Sequence, residues 1–164
     1  MKKYIVLLIF LSMFLIGESK VKYNNIKAFT HPIDIKHSVS IYNAPGKYYK
    51  ELNPDIEAGW IVNVKQRECN YFQIDILDLK IYNVWIHVGD IGVVVQNYDS
   101  VALPVFSRPD TNSVIINYVY NSCIGLIYDI SDNFLLLQII TEKECYFGWV
   151  ERRFLCYNPY TTCG

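Results

Sequence analysis

The feature that most constrains this chain is an internal repeat with a period of about 64 residues. Three landmarks occur twice and in the same order: a proline turn (Pro45 and Pro109), an aromatic residue (Phe72 and Phe134) and a tryptophan (Trp85 and Trp149). Their separations are 64, 62 and 64 residues. Landmarks that recur at nearly constant spacing indicate two copies of one supersecondary unit. We therefore expect two tandem units of roughly 60 residues each.

Each copy is predicted to consist of short β-strands. The second copy has five segments rich in β-branched and aromatic residues, separated by polar or proline turns: 101–106, 114–120, 123–130, 134–141 and 145–150. The first copy has three clear ones: 61–65, 71–77 and 84–88. A short helical turn is predicted over 151–155. Short strands with turn signals between them are typical of small sandwiches and barrels, so the expected fold class is all-β.

The N-terminus has the three parts of a secretory signal peptide. Lys2 and Lys3 give a positive start, residues 4–16 are almost entirely apolar, and Gly17 and Ser19 are small. We expect cleavage after Ser19 and export to the periplasm, the cell surface or the medium. An apolar run of about 13 residues is short for a membrane span, although a retained anchor remains the alternative.

The expected organisation follows from these features. Residues 1–19 are the signal peptide, and 20–38 are an N-terminal leader segment with weak pattern. The first unit covers 39–98, the second covers 99–157, and a tail covers 158–164. Asp99 and Ser100 mark the boundary with almost no linker, so the two units are expected to sit in a fixed relation.

The net charge argues against nucleic acid and against a membrane surface as partners. After removal of residues 1–19, 13 basic and 15 acidic side chains remain, a formal charge of −2. Nucleic-acid binding normally uses a basic face that neutralises several phosphates, and membrane attachment uses a polybasic patch. Neither pattern occurs in the sequence.

The second copy carries motifs that resemble the bacterial SH3-like domain. These are Arg108-Pro109 after a strand, Phe134 at the start of an alternating strand, Gly148-Trp149-Val150, and the closing pair Phe154-Leu155. The resemblance covers 101–157 and, less closely, 39–98, where Ala44 replaces the arginine before Pro45. It implies two tandem small SH3-like β-barrels.

Five cysteines occur in a chain that is expected to enter an oxidising compartment: Cys69, Cys123, Cys145, Cys156 and Cys163. An odd number leaves at least one unpaired or bonded to another molecule. Cys156 and Cys163 bracket a short loop and are the preferred disulfide, which would staple the tail. The alternative for Cys69, Cys123 and Cys145 is that they are ordinary buried small hydrophobic residues.

Catalysis and metal binding are not expected. The histidines are His31, His37 and His87, two of them in the leader and none in the second unit. A cysteine or serine nucleophile needs an oriented base within hydrogen-bond reach. No Cys-x2-4-Cys pair offers a zinc site, and no phosphate-binding loop occurs. The sequence therefore predicts a protein that is not an enzyme and has no cofactor or metal.

Recognition of a partner is the function that the resemblance implies. SH3-type barrels bind extended peptides on aromatic grooves. The candidate contact residues are Tyr48, Tyr49, Tyr71, Trp85, Tyr146 and Trp149, each of which could instead be a packing residue. The expected ligand is a cell-wall peptide or a cell-envelope protein. The alternatives are a structural pair of interaction domains without a wall ligand and, third, a cell-wall hydrolase.

Overall fold

The all-β class is confirmed. The computed structural model describes residues 21–31, 38–46, 51–97 and 101–158, and within these ranges the only helical element is a 3-10 turn at Arg152–Phe154. That turn lies where a helical turn was predicted. The first half of the chain contains β1 (Val21–Thr30), β2 (Val39–Tyr42), β3 (Glu51–Ile56), β4 (Ile61–Glu68), β5 (Tyr71–Ile76), β6 (Ile81–His87) and β7 (Ile91–Val95). The second half contains β8 (Leu103–Phe106), β9 (Ile115–Val119), β10 (Cys123–Ser131), β11 (Phe134–Ile140), β12 (Cys145–Glu151) and β13 (Leu155–Cys156).

The thirteen strands of the described ranges belong to one antiparallel sheet. Its order is β3-β2-β6-β5-β4-β1-β7-β10-β11-β12-β8-β9, and β13 pairs with β7 beside that path. Every pairing in the sheet is antiparallel. The two halves of the chain are therefore joined by backbone hydrogen bonds between β7 and β10.

The strand pairings repeat along the chain. In the first half β2 pairs with β3 and β6, β5 pairs with β4 and β6, and β1 pairs with β4 and β7. In the second half β8 pairs with β9 and β12, β11 pairs with β10 and β12, and β7 pairs with β10 and β13. Strands β8 to β13 begin 62 to 64 residues after β2 to β7. Strand β7 therefore serves twice, as the last strand of one half and as the first strand of the next.

The register corrects one of the sequence landmarks. Trp85 lies opposite Gln73, and Trp149 lies opposite Leu136. If the two tryptophans are equivalent, the partner of Phe134 in the first half is Tyr71 and not Phe72. The sequence comparison shifted this pair by one position because Tyr71 and Phe72 are both aromatic and both buried.

Strand β1 occupies a region where the sequence suggested only a weakly patterned leader. The register shifts between Lys22 and Ile26, so the inside–outside alternation is broken. Near its end Ala28, Phe29 and Thr30 are all buried because neighbouring parts of the fold cover both faces. The register shift and the three consecutive buried residues interrupt the period-two pattern of β1, which is why the sequence did not reveal the strand.

Thr30 attaches the end of β1 to the turn before β4. Its hydroxyl donates to the carbonyl of Glu57 at 2.7 Å and accepts from the backbone N–H of Trp60 at 3.0 Å. Its own N–H donates to the carbonyl of Trp60 at 2.9 Å, and its carbonyl accepts from the N–H of Gly59 at 2.7 Å. Every polar group of this fully buried residue is satisfied, as burial requires.

The buried side chains of the two halves form one connected cluster. Ile91, Val93 and Val95 of the shared strand belong to it, together with residues such as Ile74 of the first half and Leu137 of the second. The predicted boundary at Asp99 and Ser100 lies outside the described residues and stays a prediction.

Candidate functional site

A large concave surface opens on the second half of the chain. It has a volume of about 760 Å³ and lies between the end of β9, the start of β10 and the β11–β12 hairpin. We name it the tyrosine cleft; its lining residues are His31, 118–124, Leu126, 140–144 and Tyr146. Its size is in the range of small-molecule and peptide sites.

Aromatic and aliphatic side chains form the exposed surface of the tyrosine cleft. Tyr118 and Tyr120 are 40% and 62% exposed, and their ring centroids are 6.3 Å apart. Ile140, on the opposite wall, is 43% exposed, whereas Leu126 is buried. A ligand would therefore bury tyrosine rings and an isoleucine that now face water.

Asn97 holds the wall that carries the tyrosines. Its side-chain amide donates to the carbonyls of Val101, Val119 and Tyr120 at 2.7, 3.1 and 2.9 Å. Its backbone N–H donates to the hydroxyl of Ser122 at 3.2 Å. Because Asn97 lies two residues after the end of β7, the shared strand sets the position of one wall of the cleft.

The β11–β12 hairpin forms the opposite wall. The hydroxyl of Thr141 accepts from the N–H groups of Lys143 and Glu144 at 3.3 and 3.1 Å, and the Thr141 N–H donates to the Glu144 carbonyl at 2.9 Å. Glu142, Lys143 and Glu144 are exposed, so the tip of this hairpin faces solvent.

The interior of the tyrosine cleft is uncharged at neutral pH. Burial raises the pKa of Tyr146 to about 12, and the nearby Cys123 and Glu144 add to the shift. Burial raises the pKa of the Cys123 thiol to about 11 and lowers the pKa of His31. The phenol, the thiol and the imidazole are thus all neutral, and formal charge is confined to the 142–144 turn.

A thiol and an imidazole line the same cleft, an arrangement that bears on catalysis. A nucleophilic cysteine works as the thiolate, which a neighbouring base or positive charge must favour. Burial has the opposite effect on Cys123, because its pKa near 11 keeps the thiol protonated at neutral pH. Burial of Cys123 therefore does not favour the thiolate that nucleophilic attack requires.

A second, smaller groove lies where the two halves meet. It has a volume of about 450 Å³, and we name it the junction groove; its lining residues are Val21, Tyr23, Arg67, Cys69, Pro109, 129–131 and Trp149. Arg67 Nη1 and Asp129 Oδ1 form an ion pair at 2.6 Å that joins β4 to β10. Burial raises the pKa of Tyr23 to about 12; Asp129 adds to the shift and Arg67 opposes it.

The structure separates the residues that the sequence proposed as one contact surface. Tyr146 lines the tyrosine cleft, and Trp149 lines the junction groove. Tyr71 and Trp85 are buried, only 5% and 6% exposed, and line neither surface. The prediction for Tyr48 and Tyr49 lies outside the described residues.

Tyr71 belongs to an aromatic cluster in the first half. Its ring centroid is 4.2 Å from that of His87 and 5.5 Å from that of Tyr42. In the second half Phe106 and Phe134 pack edge to face at 5.9 Å in the equivalent positions. The repetition of this contact identifies Tyr71 as a packing residue of the repeated unit.

Sequence reasoning missed three residues of the tyrosine cleft or its support: His31, Asn97 and Tyr120. His31 and Asn97 reach the cleft through contacts distant in sequence, which no local pattern encodes. One signal was available for Tyr120, since residues 111–128 contain no charged side chain. Exposed apolar residues grouped within such a stretch are typical of an interaction surface.

Four of the five cysteines lie within the described residues. There, no group of three or more His, Cys, Asp and Glu side chains lies close enough to hold a metal ion. Cys123 and Cys145 are thiols. Cys156 is fully buried in β13, but Cys163 lies outside the described residues, so the pairing of these two stays a prediction.

Nothing in the described part of the chain is a helix long and apolar enough to cross a membrane. The predicted signal peptide, residues 1–19, lies outside that part.

Comparisons with known proteins identify no family. No protein-family model and no curated protein matches the chain. Among solved structures, NlpC2 from Trichomonas vaginalis aligns with 90% of this chain at 14% identity and a TM-score of 0.34, and NlpC1 from the same organism aligns with 89% at 17% identity and a TM-score of 0.33. This chain spans about half of each, 52% and 50% of their lengths.

Proposed function

We propose that this protein is an exported, non-catalytic binding protein whose tyrosine cleft holds an extended peptide. The ligand class is a peptide of the cell wall or a segment of a cell-envelope protein. The observation that carries the proposal is the cleft itself, in which Tyr118, Tyr120 and Tyr146 surround an uncharged interior. Tyrosines suit such sites because the ring buries apolar area while the hydroxyl bonds to peptide groups.

We also propose that each half is a small SH3-like barrel and that residues 1–19 are removed on export. The recurrence of the same pairings in β2 to β7 and β8 to β13 supports the first proposal. The charged start, apolar run and small residues at Gly17 and Ser19 support the second. N-terminal sequencing of the exported protein would test the cleavage site directly.

The test of the binding proposal is an interaction assay with wall material. The purified exported protein should sediment with isolated peptidoglycan, and soluble muropeptides should compete. Tyr146→Ala should weaken binding about tenfold, because it removes one wall of the cleft; this factor corresponds to about 1.4 kcal/mol.

The matched control for that variant is Tyr82→Ala. Tyr82 is a tyrosine of β6 that is 54% exposed and does not line the cleft, so its truncation should leave binding unchanged. Absence of binding to muropeptides at millimolar concentration contradicts the wall version. An envelope protein captured through the cleft, lost in Tyr146→Ala and retained in Tyr82→Ala, would then identify the ligand class.

One observation favours a second candidate, a hydrolase, because His31 and Cys123 line one cleft. The high pKa of the Cys123 thiol counts against it. Cys123→Ser distinguishes the two functions, since a cysteine hydrolase would lose its activity on muropeptides whereas a binding protein would retain its affinity.

A further inference from the structure

The junction groove lies between strands of both halves of the chain. Most of its lining residues come from β1 and β4 on one side and from β10 and β12 on the other. Its volume of about 450 Å³ is at the lower end of the range for small-molecule sites. The junction groove and the tyrosine cleft share no lining residue, so a ligand here is distinct from the proposed peptide.

The charged part of the groove is the ion pair of Arg67 and Asp129. Among the described residues that line the groove, these two carry a formal charge. Asp129 Oδ1 contacts Arg67 Nη1 and also accepts from the N–H of Ile130 at 2.8 Å, and Arg67 Nε donates to the carbonyl of Cys69 at 3.1 Å. A guanidinium and a carboxylate can pair through two atoms each, but here they are joined through one. Asp129 Oδ2 and Arg67 Nη2 therefore remain able to bond to a ligand, and the two side chains are 36% and 28% exposed.

Apolar surface flanks the ion pair. Tyr23 and Trp149 are half-buried and line the same groove as the exposed Pro109. Burial raises the pKa of Tyr23 to about 12, and the nearby Asp129 adds to the shift. The phenol is therefore neutral, and its surroundings are partly shielded from water. Contacts between charges are stronger in such surroundings than on an open surface.

We propose that the junction groove binds a free α-amino acid with an apolar side chain. The ammonium group bonds to Asp129 Oδ2, the carboxylate bonds to Arg67 Nη2, and the side chain packs on Trp149. A ligand with a single charge would meet the like-charged member of the ion pair as well as the opposite one, whereas a zwitterion is attracted by both.

The spacing of the two charged groups favours an amino acid over a longer peptide. Arg67 and Asp129 are in direct contact, so their ligands must carry opposite charges close together. In an α-amino acid the amino nitrogen lies about 2.5 Å from the carboxyl carbon. Each further residue of a peptide moves the two termini apart by up to about 3.8 Å. The ligand that matches the ion pair is therefore a single amino acid.

Calorimetric titration of the exported protein with leucine tests this proposal, because leucine joins an apolar side chain to both charges. The expected dissociation constant is about 0.1 mM, since a small ligand makes few contacts in an open groove. Isocaproate is leucine without the amino group, and isoamylamine is leucine without the carboxylate. Each should bind about tenfold more weakly than leucine. Glycine keeps both charges but has no side chain to pack on Trp149, so it should also bind more weakly.

Two variants test the charged contacts separately. Asp129→Asn removes the partner of the ammonium group, so leucine should bind to it no better than isocaproate. Arg67→Gln removes the partner of the carboxylate, so leucine should bind to it no better than isoamylamine. A merely structural change would weaken all three ligands alike. Arg153→Gln is the matched control, because Arg153 forms its ion pair with Glu151 outside the groove and should leave leucine binding unchanged.

Several results would overturn the proposal. Absence of leucine binding at about 10 mM excludes the site. Isocaproate that binds as tightly as leucine would make the groove a carboxylate site, and isoamylamine that does so would make it an amine site. Leucine binding that both variants retain lies elsewhere on the protein. The thermal midpoint establishes that each variant is folded; if one is not, the ligand series on the parent protein decides alone. Failure of muropeptide binding affects only the proposed function, because the two surfaces are separate.

Discussion

Asp90 is half-buried in the turn between β6 and β7. The turn is held on two sides, since the N–H of Gly89 donates to the carbonyl of Ile127 and the N–H of His31 donates to the carbonyl of Asp90, at 2.8 and 2.9 Å. Burial raises the pKa of the Asp90 carboxyl from 3.8 to about 6. The ionised carboxylate in turn contributes to the raised pKa of Tyr128.

A raised carboxyl pKa makes the contribution of Asp90 depend on pH. The protonated form is favoured in the folded protein, so the stabilisation is complete below pH 3.8 and is lost as the pH rises through about 6. Asp90→Asn should therefore be more stable than the parent at about pH 8, by roughly 2 kcal/mol after allowance for solvent screening. The difference in stability between Asp90→Asn and the parent should vanish at about pH 4.

Urea unfolding at the two pH values measures this effect. Burial lowers the pKa values of His31 and His87, so protonation of these histidines at acidic pH destabilises the folded protein. Both histidines are present in the parent and in Asp90→Asn, so this effect cancels in the comparison. Equal stability of Asp90→Asn and the parent at both pH values would mean that the carboxyl is hydrated in the folded state.

At the scale of elements, the β8–β9 hairpin rests on β12 at a glycine. A Cβ atom at Gly148 would lie 2.2 Å from Val105 Cγ1 and 3.2 Å from Ile116 Cδ1. In the first half the equivalent position is Val84, which is 5% exposed. The second hairpin therefore packs more closely on its sheet than the first, and the glycine of the Gly148-Trp149-Val150 motif has a packing role here.

Gly148→Ala should destabilise the protein by about 1–3 kcal/mol, because the added methyl group displaces Val105. Chemical denaturation measures the loss. Gly46→Ala is an instructive comparison: its Cβ would meet nothing within 4 Å, so any cost there comes from its positive φ of 91° alone. A Gly148→Ala variant as stable as the parent would show that the hairpin shifts freely on β12.

At the scale of the whole molecule, strand β7 ties the halves into one unit. It hydrogen-bonds to β1 in the first half and to β10 and β13 in the second, and its apolar side chains belong to the common cluster. Unfolding of either half removes a strand neighbour from the other. We therefore expect a single cooperative transition.

Tryptophan fluorescence separates the halves for this measurement. Trp149→Phe leaves Trp60 and Trp85, which report on the first half, whereas the double substitution of those two leaves Trp149 in the second. In each variant, the urea midpoint followed by fluorescence should equal the midpoint followed by circular dichroism. Two distinct transitions would instead identify the halves as independent domains.

Much of this architecture is readable from the sequence, and the reason is local. Strands β10, β11 and β12 begin at the predicted residues, and their ends differ from prediction by one residue, because turn signals such as Ser131–Asn133 and Glu142–Glu144 bound them. Tyr146 was found for the same reason, as an aromatic residue in a clear strand. Tyr71 and Trp85 could not be distinguished from Tyr146 in the sequence. Alternation along a strand indicates that it has two faces, but it does not indicate which face the rest of the fold covers.

The sequence by itself determined the all-β class, the repeated unit and most strand positions, because these follow from side-chain periodicity and turn chemistry within a few residues. Only the tertiary structure decided that β1 is a central strand, that β7 serves both halves, and that His31 and Asn97 meet the tyrosines of a distant segment. Those features are hydrogen-bonded pairings and burials between residues far apart in the chain. Such contacts form because the whole fold satisfies them together, and no local pattern encodes them.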